Sequence, residues 1–347
     1  MNLKELSKKL GLSQTTVSRA LNGYPEVGPK TRERVLKAAQ EMHYRPNRFA
    51  KSLATGKTEH IGLIYPVEHN LITPLFNEFL GGVTQKLAES GLDLSIIPTT
   101  SQNELETYRS VVASGRVDGL IISTPLTNDP RIDYLVNTQM PFIVHGRTLD
   151  ANGDENERDT PFSYLDVDNT DAFYRATQLL INMGHKHIAL LNGGENFTFA
   201  YHRLKGYEKA MAQMELLIQP ALIFSRQEMT EINGYQMACQ ALQMNPRPTA
   251  IIASSMILAL GIRRAIRDSH FTIGKEMSVV IYDDGLPYLE SDKFNPSLTT
   301  VYSSIREAGY EITDQLHHII QSGGKHEVRK LLKADLIVRE SSCAAKV

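Results

Sequence analysis

The stretch "GLSQTTVSRALNG", residues 11–23, decides the fold of the N-terminal part of this 347-residue chain. A glycine permits a tight turn at its start, and Ser13 is a favourable N-cap for a short helix. Helical spacing turns Val17, Ala20 and Leu21 toward the protein interior. The opposite face of this helix is polar and carries Gln14, Thr15, Ser18 and Arg19.

The flanking segments predict two further helices. Residues 3–10, "LKELSKKL", place three leucines on one helical face. The segment "VGPKTRERVLKAAQEM" begins a third helix with Pro29 at its first position, and its Val35, Leu36 and Ala39 complete a small apolar core. Two short helices joined through a glycine turn and backed by a third predict a helix-turn-helix unit.

The charge of the chain is unevenly distributed. Residues 1–58 contain 12 Lys and Arg against 4 Glu, whereas the remainder contains 25 basic and 35 acidic residues, so a net charge of −2 hides a basic head on an acidic body. This polarity indicates that the head alone meets a polyanion. Arg can donate twice to guanine, Gln can pair with adenine, and hydroxyl side chains suit phosphates. A polar helix face by itself also fits an ordinary solvated surface.

The bulk properties predict a soluble, multidomain protein. A chain of this length favours two or three domains. The two cysteines, Cys239 and Cys343, are far apart, which indicates neither a disulfide framework nor a zinc site. The N-terminus does not read as a signal peptide, and the most apolar window, residues 249–262, is too short to cross a bilayer. We therefore expect a cytoplasmic protein with no membrane partner, associated with the nucleoid when it binds DNA.

Apolar strand-like runs alternate with helical stretches after residue 60, which predicts parallel sheets wrapped by helices. The runs fall into two series, so we expect two α/β subdomains with a ligand cleft between them. The first series comprises residues 60–67, 93–100, 119–124 and 141–146, and the second comprises 163–168, 187–193, 221–225, 249–255 and 278–284.

Hydrogen-bonding side chains follow most of these strands. Fixed donors and acceptors at the carboxyl ends of parallel strands suit a neutral polyhydroxylated ligand such as a sugar. Any one of these residues alone fits equally well as a helix cap or a satisfied loop residue. The set includes Tyr65, Ser123, Thr124, His145, Arg147, Asn192, Ser254, Ser255, Asp283 and Asp284.

The N-terminal signature, which has the form GxSxxTVSRxLNG, closely resembles the DNA-binding head of the LacI/GalR family of regulators. Ser7 and Lys8 stand where that family often has alanines. The resemblance continues through "LLINMGHKHIALLNG", "RLKGY", "VVIYDD" and "PSLTTV" to near residue 342. It implies base contacts by Gln14, Thr15 and Arg19, phosphate contacts by Thr16 and Ser18, and a DNA-facing position for Asn22.

Residues 47–59 fit an ordinary linker when judged by composition alone. The family resemblance instead implies a hinge helix that orders on operator DNA and inserts a leucine, here Leu53, into the minor groove. Asn47 and Arg48 would then contact the DNA backbone, and Ala50 would lie on the same short helix.

The resemblance also implies an effector site in the cleft. Arg203 and Asp283 match the ligand-binding arginine and aspartate of the family, Ser255 stands where many members carry an asparagine, and Phe76 follows the first strand. Met256 and Gly146 depart from the family pattern, which favours a pocket different from a lactose or purine site. The expected effector contacts are Tyr65, Phe76, Ser123, His145, Arg147, Asn192, Arg203, Ser255 and Asp283.

The expected fold class is an all-α helix-turn-helix head followed by an α/β core that resembles periplasmic binding proteins, with two doubly wound parallel-sheet subdomains. We expect the head at residues 1–46, the hinge at 47–59 and the core at 60–347. Within the core, the N-subdomain is expected at about 60–162 and 298–325, and the C-subdomain at about 163–297 and 326–342.

An enzyme is not expected. The sequence has no GxGxxG, P-loop lysine or GxSxG motif and no histidine cluster with metal-ligand spacing, so no catalytic residue, metal or other cofactor is predicted. A transport binding protein is disfavoured by the DNA-reading head.

The predicted function is that of a homodimeric repressor of a carbohydrate uptake or catabolism operon, released from double-stranded operator DNA by a mono- or disaccharide. The alternative is a broader regulator co-activated by a phosphoprotein or a small-molecule corepressor. Residues 343–347 hold no leucine heptads, so a tetramer built by the tail is not expected.

Overall fold

The computed structural model describes residues 2–44, 52, 55–67, 73–149 and 161–346. Contacts divide the chain into two compact units, Met1–Glu59 and His60–Val347. The predicted hinge contacts lie outside the described residues and stay predictions; they are Asn47, Arg48, Ala50 and Leu53.

The N-terminal unit contains the three predicted helices, α1 Leu3–Leu10, α2 Gln14–Leu21 and α3 Pro29–Glu41. Ser13 caps α2 as expected, because its hydroxyl accepts a hydrogen bond from the Thr16 N–H at 3.0 Å. Pro29 stands in the first turn of α3, where its missing N–H leaves no helical bond unmade.

Leu6, Val17 and Val35 are fully buried between these helices and form the centre of a small core. One expectation is wrong, because Leu36 has 45% of its surface exposed and Ala38 takes the buried position instead. The buried face of α3 runs from Val35 to Ala38 and Ala39, three and four residues further on, and Leu36 lies outside this face.

The first lobe of the second unit is a six-stranded parallel sheet with the order β11-β5-β4-β3-β1-β2. Two helices, α4 Pro74–Ser90 and α11 Ile305–Gln321, cover one face, and α5 Glu104–Ser114 and α6 Pro130–Val136 cover the other. The strands are β1 His60–Pro66, β2 Asp93–Thr99, β3 Gly119–Ser123, β4 Phe142–His145, β5 Tyr164–Val167 and β11 Arg329–Leu332.

The second lobe repeats this plan with the strand order β12-β10-β9-β8-β6-β7, in which β12 alone among these strands is antiparallel to its neighbour. Its helices are α7 Asn169–Asn182, α8 Thr198–Gln213, α9 Glu231–Leu242 and α10 Met256–Asp268. Its strands are β6 Ile188–Asn192, β7 Ile223–Ser225, β8 Ala250–Ala253, β9 Ser278–Asp283, β10 Thr299–Tyr302 and β12 Asp335–Ile337.

The most apolar window of the chain, residues 249–262, forms strand β8 and the beginning of helix α10 inside this lobe. Its side chains are buried in the protein core, where Ile251, Leu258 and Ile262 are fully covered. Within the described ranges, no helix is both long and apolar enough to cross a bilayer.

The chain passes between the lobes three times, and each crossing differs from the expected subdomain boundary. Strand β5 pairs with β4 and β11 and belongs to the first lobe, although residues 163–168 are expected to open the second. Strand β10 pairs with β9 in the second lobe, and β11 returns to the first. The expected boundaries at 162, 297 and 325 therefore lie several residues too early, because a buried parallel strand has the same apolar pattern in either sheet.

Helices α4 and α11 approach each other backbone to backbone because glycine stands at their contact. A Cβ atom added at Gly309 would lie 2.2 Å from the carbonyl oxygen of Phe79, and one added at Gly82 would lie 1.9 Å from that of Arg306. These helices also carry Phe76 and Ala308, which line the cavity described below, so their spacing fixes one wall of that cavity.

Replacing Gly309 with alanine should therefore destabilise the first lobe. The added methyl group would clash with backbone atoms, which cannot move aside as a flexible side chain can. We therefore expect a loss of roughly 1–3 kcal/mol in the free energy of unfolding. Thermal unfolding followed by circular dichroism measures the effect. His318→Ala, on an exposed part of the same helix, is the control and should shift the midpoint little. Equal midpoints for both variants would contradict the close-approach account.

Candidate functional site

The N-terminal unit presents one polar helix face to solvent. Gln14, Thr15 and Arg19 are exposed on α2, and in the described part of the chain no hydrogen bond or ion pair engages their side chains. Two other predicted DNA contacts have intramolecular partners. The Thr16 hydroxyl lies 2.8 Å from that of Ser13, and the Asn22 amide donates to the Ser18 carbonyl at 2.9 Å.

Two arginines of α3 hold this face in place, a role that the sequence did not indicate. The Arg32 guanidinium donates to the carbonyls of Gly23 at 3.1 Å and Tyr24 at 2.7 Å, which fixes the loop after α2. Arg34 donates to the Leu10 carbonyl at the end of α1. Part of the positive charge of the head therefore stabilises its fold, while Arg19 remains available for a ligand.

A cavity of about 260 Å³ lies between the two lobes at the carboxyl ends of β1, β3, β4, β5 and β9. The position at the carboxyl ends of parallel strands is typical of a site for a small molecule in an α/β protein, and the volume lies just below the usual range of about 300–1,000 Å³. Two of the three crossings between the lobes also line the cavity, the first through Asp166, Val167 and Asn169 and the second through residues 303–305. The site therefore lies where the lobes are joined.

Five of the predicted effector contacts meet in the wall of this cavity, which brings together residues far apart in the sequence. Tyr65 and Phe76 form an aromatic pair with ring centroids 4.3 Å apart, and His145 stacks on Phe79 at 5.0 Å. The five residues are Tyr65, Phe76, Ser123, His145 and Arg203.

The other four predicted contacts lie outside the cavity wall and support it. Arg147 donates from Nε to Asp166 at 2.9 Å. Asn192 is fixed between the Ser254 hydroxyl and the Ala200 carbonyl, and Ser255 caps helix α10.

Asp283 is the fourth of these residues. Its Oδ1 accepts the Gly285 N–H at 3.0 Å, and the next residue, Asp284, lines the cavity instead. Neighbouring residues at a strand end face opposite sides, so a shift of one position exchanges the two carboxylates.

Arg203 on α8 is the central charged group of the cavity and is almost fully buried. Its Nε donates to Asn169 Oδ1 at 2.8 Å, and its Nη1 donates to the Ser254 carbonyl at 2.6 Å. The guanidinium carbon lies 4.0 Å from the centroid of the Tyr282 ring and 4.9 Å from that of Phe199. Aromatic rings thus surround the guanidinium, and two of its nitrogen atoms are held by acceptors of the protein.

The carboxylates near Arg203 differ in their environments. Asp166 accepts the Arg147 guanidinium and the Val167 N–H, so both of its oxygens have donors. Burial raises the pKa of Asp284 to about 7, although the Arg203 charge opposes this shift. Burial also lowers the pKa of His145, so this imidazole is neutral at pH 7.

The sequence did not single out several cavity residues because their positions depend on the crossings between the lobes. Asn169 and Asp166 flank the first crossing, and Ser303 and Ser304 form the second. Among the described residues, no group of three or more His, Cys, Asp or Glu side chains is placed to hold a metal ion.

The two lobes also touch beside the cavity through two loops. The loop after β3 pairs with the loop after β6 through an antiparallel bridge between Leu126 and Phe197. The Thr127 N–H donates to the Asn196 carbonyl at 2.9 Å, and the Thr198 hydroxyl donates to the Pro125 carbonyl at 2.7 Å. Any change in the lobe arrangement must therefore alter these hydrogen bonds.

A polar, exposed helix face on one unit and a cavity of small-molecule size in the other are typical of a regulator that binds both DNA and a small molecule, and comparison with known proteins gives its family. Residues 2–47 match the family model of bacterial regulatory proteins of the lacI family, and residues 58–340 match that of periplasmic binding proteins and the sugar binding domain of the LacI family. The chain belongs to the LacI family and is a DNA-binding transcriptional regulator.

The relatives extend over nearly the whole chain. The protein is 44% identical over 343 residues to the HTH-type transcriptional regulator AglR of Rhizobium meliloti (strain 1021). The matched region covers 99% of this chain and 94% of AglR. It is 33% identical over 334 residues to the HTH-type transcriptional regulator RafR of Escherichia coli, covering 95% of each chain.

Two solved structures are similar along almost their full length. The lac repressor dimer bound to operator and the anti-inducer ONPF has a TM-score of 0.82 at 27% identity, covering 99% of both chains. The complex of the transcriptional regulator CelR with cellobiose has a TM-score of 0.72 at 27% identity, covering 99% of this chain and all of that one. The expected family and fold class are thus confirmed.

The exposed face of α2 generates a prediction about DNA binding. Arg19→Ala should weaken binding to a genomic fragment selected by the wild-type protein by about 1–3 kcal/mol, with a smaller loss on random duplex, because a base contact is removed. Fluorescence anisotropy at fixed salt measures both affinities. Lys37→Ala removes one positive charge from an exposed position on α3 and should leave their ratio unchanged. A loss of equal size on both DNAs for Arg19→Ala would contradict a base-reading role.

Proposed function

We propose that this regulator represses a carbohydrate uptake or catabolism operon and leaves its operator when a neutral mono- or disaccharide binds between the lobes. The observation that carries this proposal is the clamped Arg203 guanidinium, which faces a cavity lined by aromatic rings and hydroxyl side chains. Aromatic faces pack against the apolar faces of a sugar ring, and fixed polar groups select its hydroxyls. The solved CelR–cellobiose complex supports a disaccharide over a monosaccharide.

Two chains would act together on a palindromic operator. One short recognition helix reads too few base pairs for selective binding in a genome, so a homodimer that presents two heads is required. Gln14, Thr15 and Arg19 would read base edges, and Thr16 and Ser18 would contact phosphates. Asn22 would also face the DNA. The hinge residues Asn47, Arg48, Ala50 and Leu53 would complete the DNA contact.

Effector binding would act through the relative placement of the lobes. The two crossings that line the cavity place the ligand against the segments that join the lobes. A ligand that binds one lobe arrangement more tightly shifts the population toward it, and the shift cannot exceed this difference in affinity. We propose that the arrangement favoured by the sugar disfavours paired hinges and weakens operator binding.

Arg203→Ala should remove the response to the sugar while operator binding persists, because the cavity loses its central donor and the head is untouched. Electrophoretic mobility-shift titrations with a disaccharide panel measure the response. Lys209→Ala, exposed on the same helix, is the matched control and should respond normally. Release of DNA from Arg203→Ala at wild-type sugar concentrations would place the effector elsewhere, and failure of every sugar with the wild-type chain would favour a phosphoprotein or another corepressor.

The loop contact beside the cavity gives a second prediction. Thr198→Val removes the hydroxyl bond to the Pro125 carbonyl across the lobes, so we expect effector affinity to fall by roughly 2- to 10-fold, the value of one hydrogen bond. Thr177→Val is a matched control, because this buried hydroxyl donates to the Phe173 carbonyl at the same 2.7 Å within one helix. Isothermal titration calorimetry measures both affinities. Equal effects of the two substitutions would show that the contact between the lobes has no special role.

A further inference from the structure

The loop between β3 and α6 makes the contact with the second lobe beside the cavity, and we call residues 124–129 the bridging loop. Thr124, its first residue, has a φ of 53°, a left-handed conformation that a β-branched residue seldom adopts. Such a conformation persists only where the surrounding groups hold it. The bridging loop therefore needs fixed partners on its own lobe.

Arg131, in the first turn of α6, supplies these partners and is 8% exposed. Its Nε and Nη2 donate to the two carboxylate oxygens of Asp129 at 2.9 and 2.6 Å. Nη2 also donates to the Thr124 carbonyl at 3.2 Å, and Nη1 donates to Glu104 on α5 at 2.8 Å. A planar guanidinium with donors in fixed directions can thus hold both ends of a short loop at once.

Asp129 extends this order to the middle of the bridging loop. Its side chain is fully buried, and its Oδ2 also accepts the Leu126 N–H at 3.0 Å. Burial raises the pKa of this carboxyl, but hydrogen bonds from Arg131 outweigh burial and hold the pKa below its usual value. The carboxylate is therefore ionised at neutral pH, and its hydrogen bonds are of the strong, charge-assisted kind.

The segment after β4 fixes the other side of the bridging loop. A Cβ atom added at Gly146 would lie 2.6 Å from the Pro125 side chain, so glycine permits the loop to pack directly against this segment. The Thr148 hydroxyl donates to the Leu126 carbonyl at 2.9 Å. The first lobe thus determines the shape of the bridging loop through its own side chains.

The loop held in this way presents backbone groups to the second lobe. The Pro125 carbonyl accepts the Thr198 hydroxyl at 2.7 Å and the Thr198 N–H at 3.2 Å, and the Thr127 N–H donates to the Asn196 carbonyl at 2.9 Å. Arg131 does not line the cavity, whereas the first two residues of the loop that it holds do. Its effect on a ligand must therefore pass through the bridging loop.

We propose that Arg131 is a positioning residue for effector binding, because it orders the bridging loop and so lowers the entropic cost of joining the two lobes around a ligand. A loop that is already ordered loses little conformational freedom when it forms hydrogen bonds to the second lobe. This inference rests on the proposed sugar-sensing function. It assigns part of the effector affinity to an ion pair that does not touch the ligand.

Hydrogen exchange of the full chain, read by mass spectrometry with residue-level fragmentation, tests the bridge without any ligand. Arg131→Lys keeps the positive charge but loses the planar fork of donors. We expect the Thr198 amide, which belongs to the other lobe, to exchange roughly 2- to 10-fold faster than in the wild type, the value of one hydrogen bond. Arg339→Lys is the matched control, because this guanidinium donates to two groups within the second lobe, and it should leave the Thr198 amide unchanged.

A double-variant cycle tests the link to the effector. Isothermal titration calorimetry gives the affinity for the tightest-binding sugar of a disaccharide panel, and Arg131→Lys should lower it by roughly 2- to 10-fold. Thr198→Val removes a bond to the bridging loop from the opposite lobe. The loss in the double variant should be smaller than the product of the two single losses, because both substitutions act on one contact. Arg339→Lys combined with Thr198→Val should give independent effects.

Asp129→Asn keeps the size of the side chain, removes its charge and should also accelerate exchange of the Thr198 amide, so it serves as the variant if Arg131→Lys fails to fold. An unchanged exchange rate, equal acceleration by Arg339→Lys, or single losses of affinity that simply multiply would each overturn the positioning role. If no sugar binds the wild type, the proposed sugar sensing fails, and the exchange rates still decide whether Arg131 holds the bridge.

Discussion

The buried guanidinium of Arg203 is the constraint on which the ligand site depends. A cation removed from water needs hydrogen-bond acceptors and opposite charge around it, and the structure provides an amide oxygen, a backbone carbonyl, aromatic faces and a nearby carboxylate. These groups come from α7, α8 and the ends of β8 and β9, and they meet where the parallel strands end. The same charge is the group to which we propose that a ligand with several hydroxyl groups binds.

The chain passes between the two lobes three times, and this makes the cavity between them a suitable place to sense a ligand. Each lobe is built from segments that are distant in the sequence, and two of the connecting segments form part of the cavity wall. A ligand that contacts both lobes therefore acts directly on their relative placement. Its signal can reach the N-terminal unit only if the lobe arrangements differ in their affinity for DNA, which is the thermodynamic content of allostery.

The local sequence pattern predicts most helices and strands of this protein. The predictions that differ from the structure share one physical cause. Helix α2, its Ser13 cap and most of the strands follow from periodicity and capping. Periodicity does not predict the sheets to which β5 and β10 belong, because this depends on partners distant in the sequence. It also does not predict that Ala38 is buried in place of Leu36, or that Asp284 lines the cavity in place of Asp283, because a shift of one or two residues decides each case. In the sequence, Arg32 and Arg34 only add to the positive charge of the head. The structure shows that both donate hydrogen bonds to backbone carbonyls.

The central claim is that one chain joins selective DNA binding to recognition of a sugar. Its most direct test is the affinity of the full chain for a genomic fragment that it selects, measured by fluorescence anisotropy against bulk duplex, with and without the tightest-binding disaccharide. The account predicts a clear preference for the fragment, which the sugar reduces by about 5- to 150-fold. A protein that prefers no fragment over bulk duplex, or whose preference is the same at saturating sugar, would contradict it.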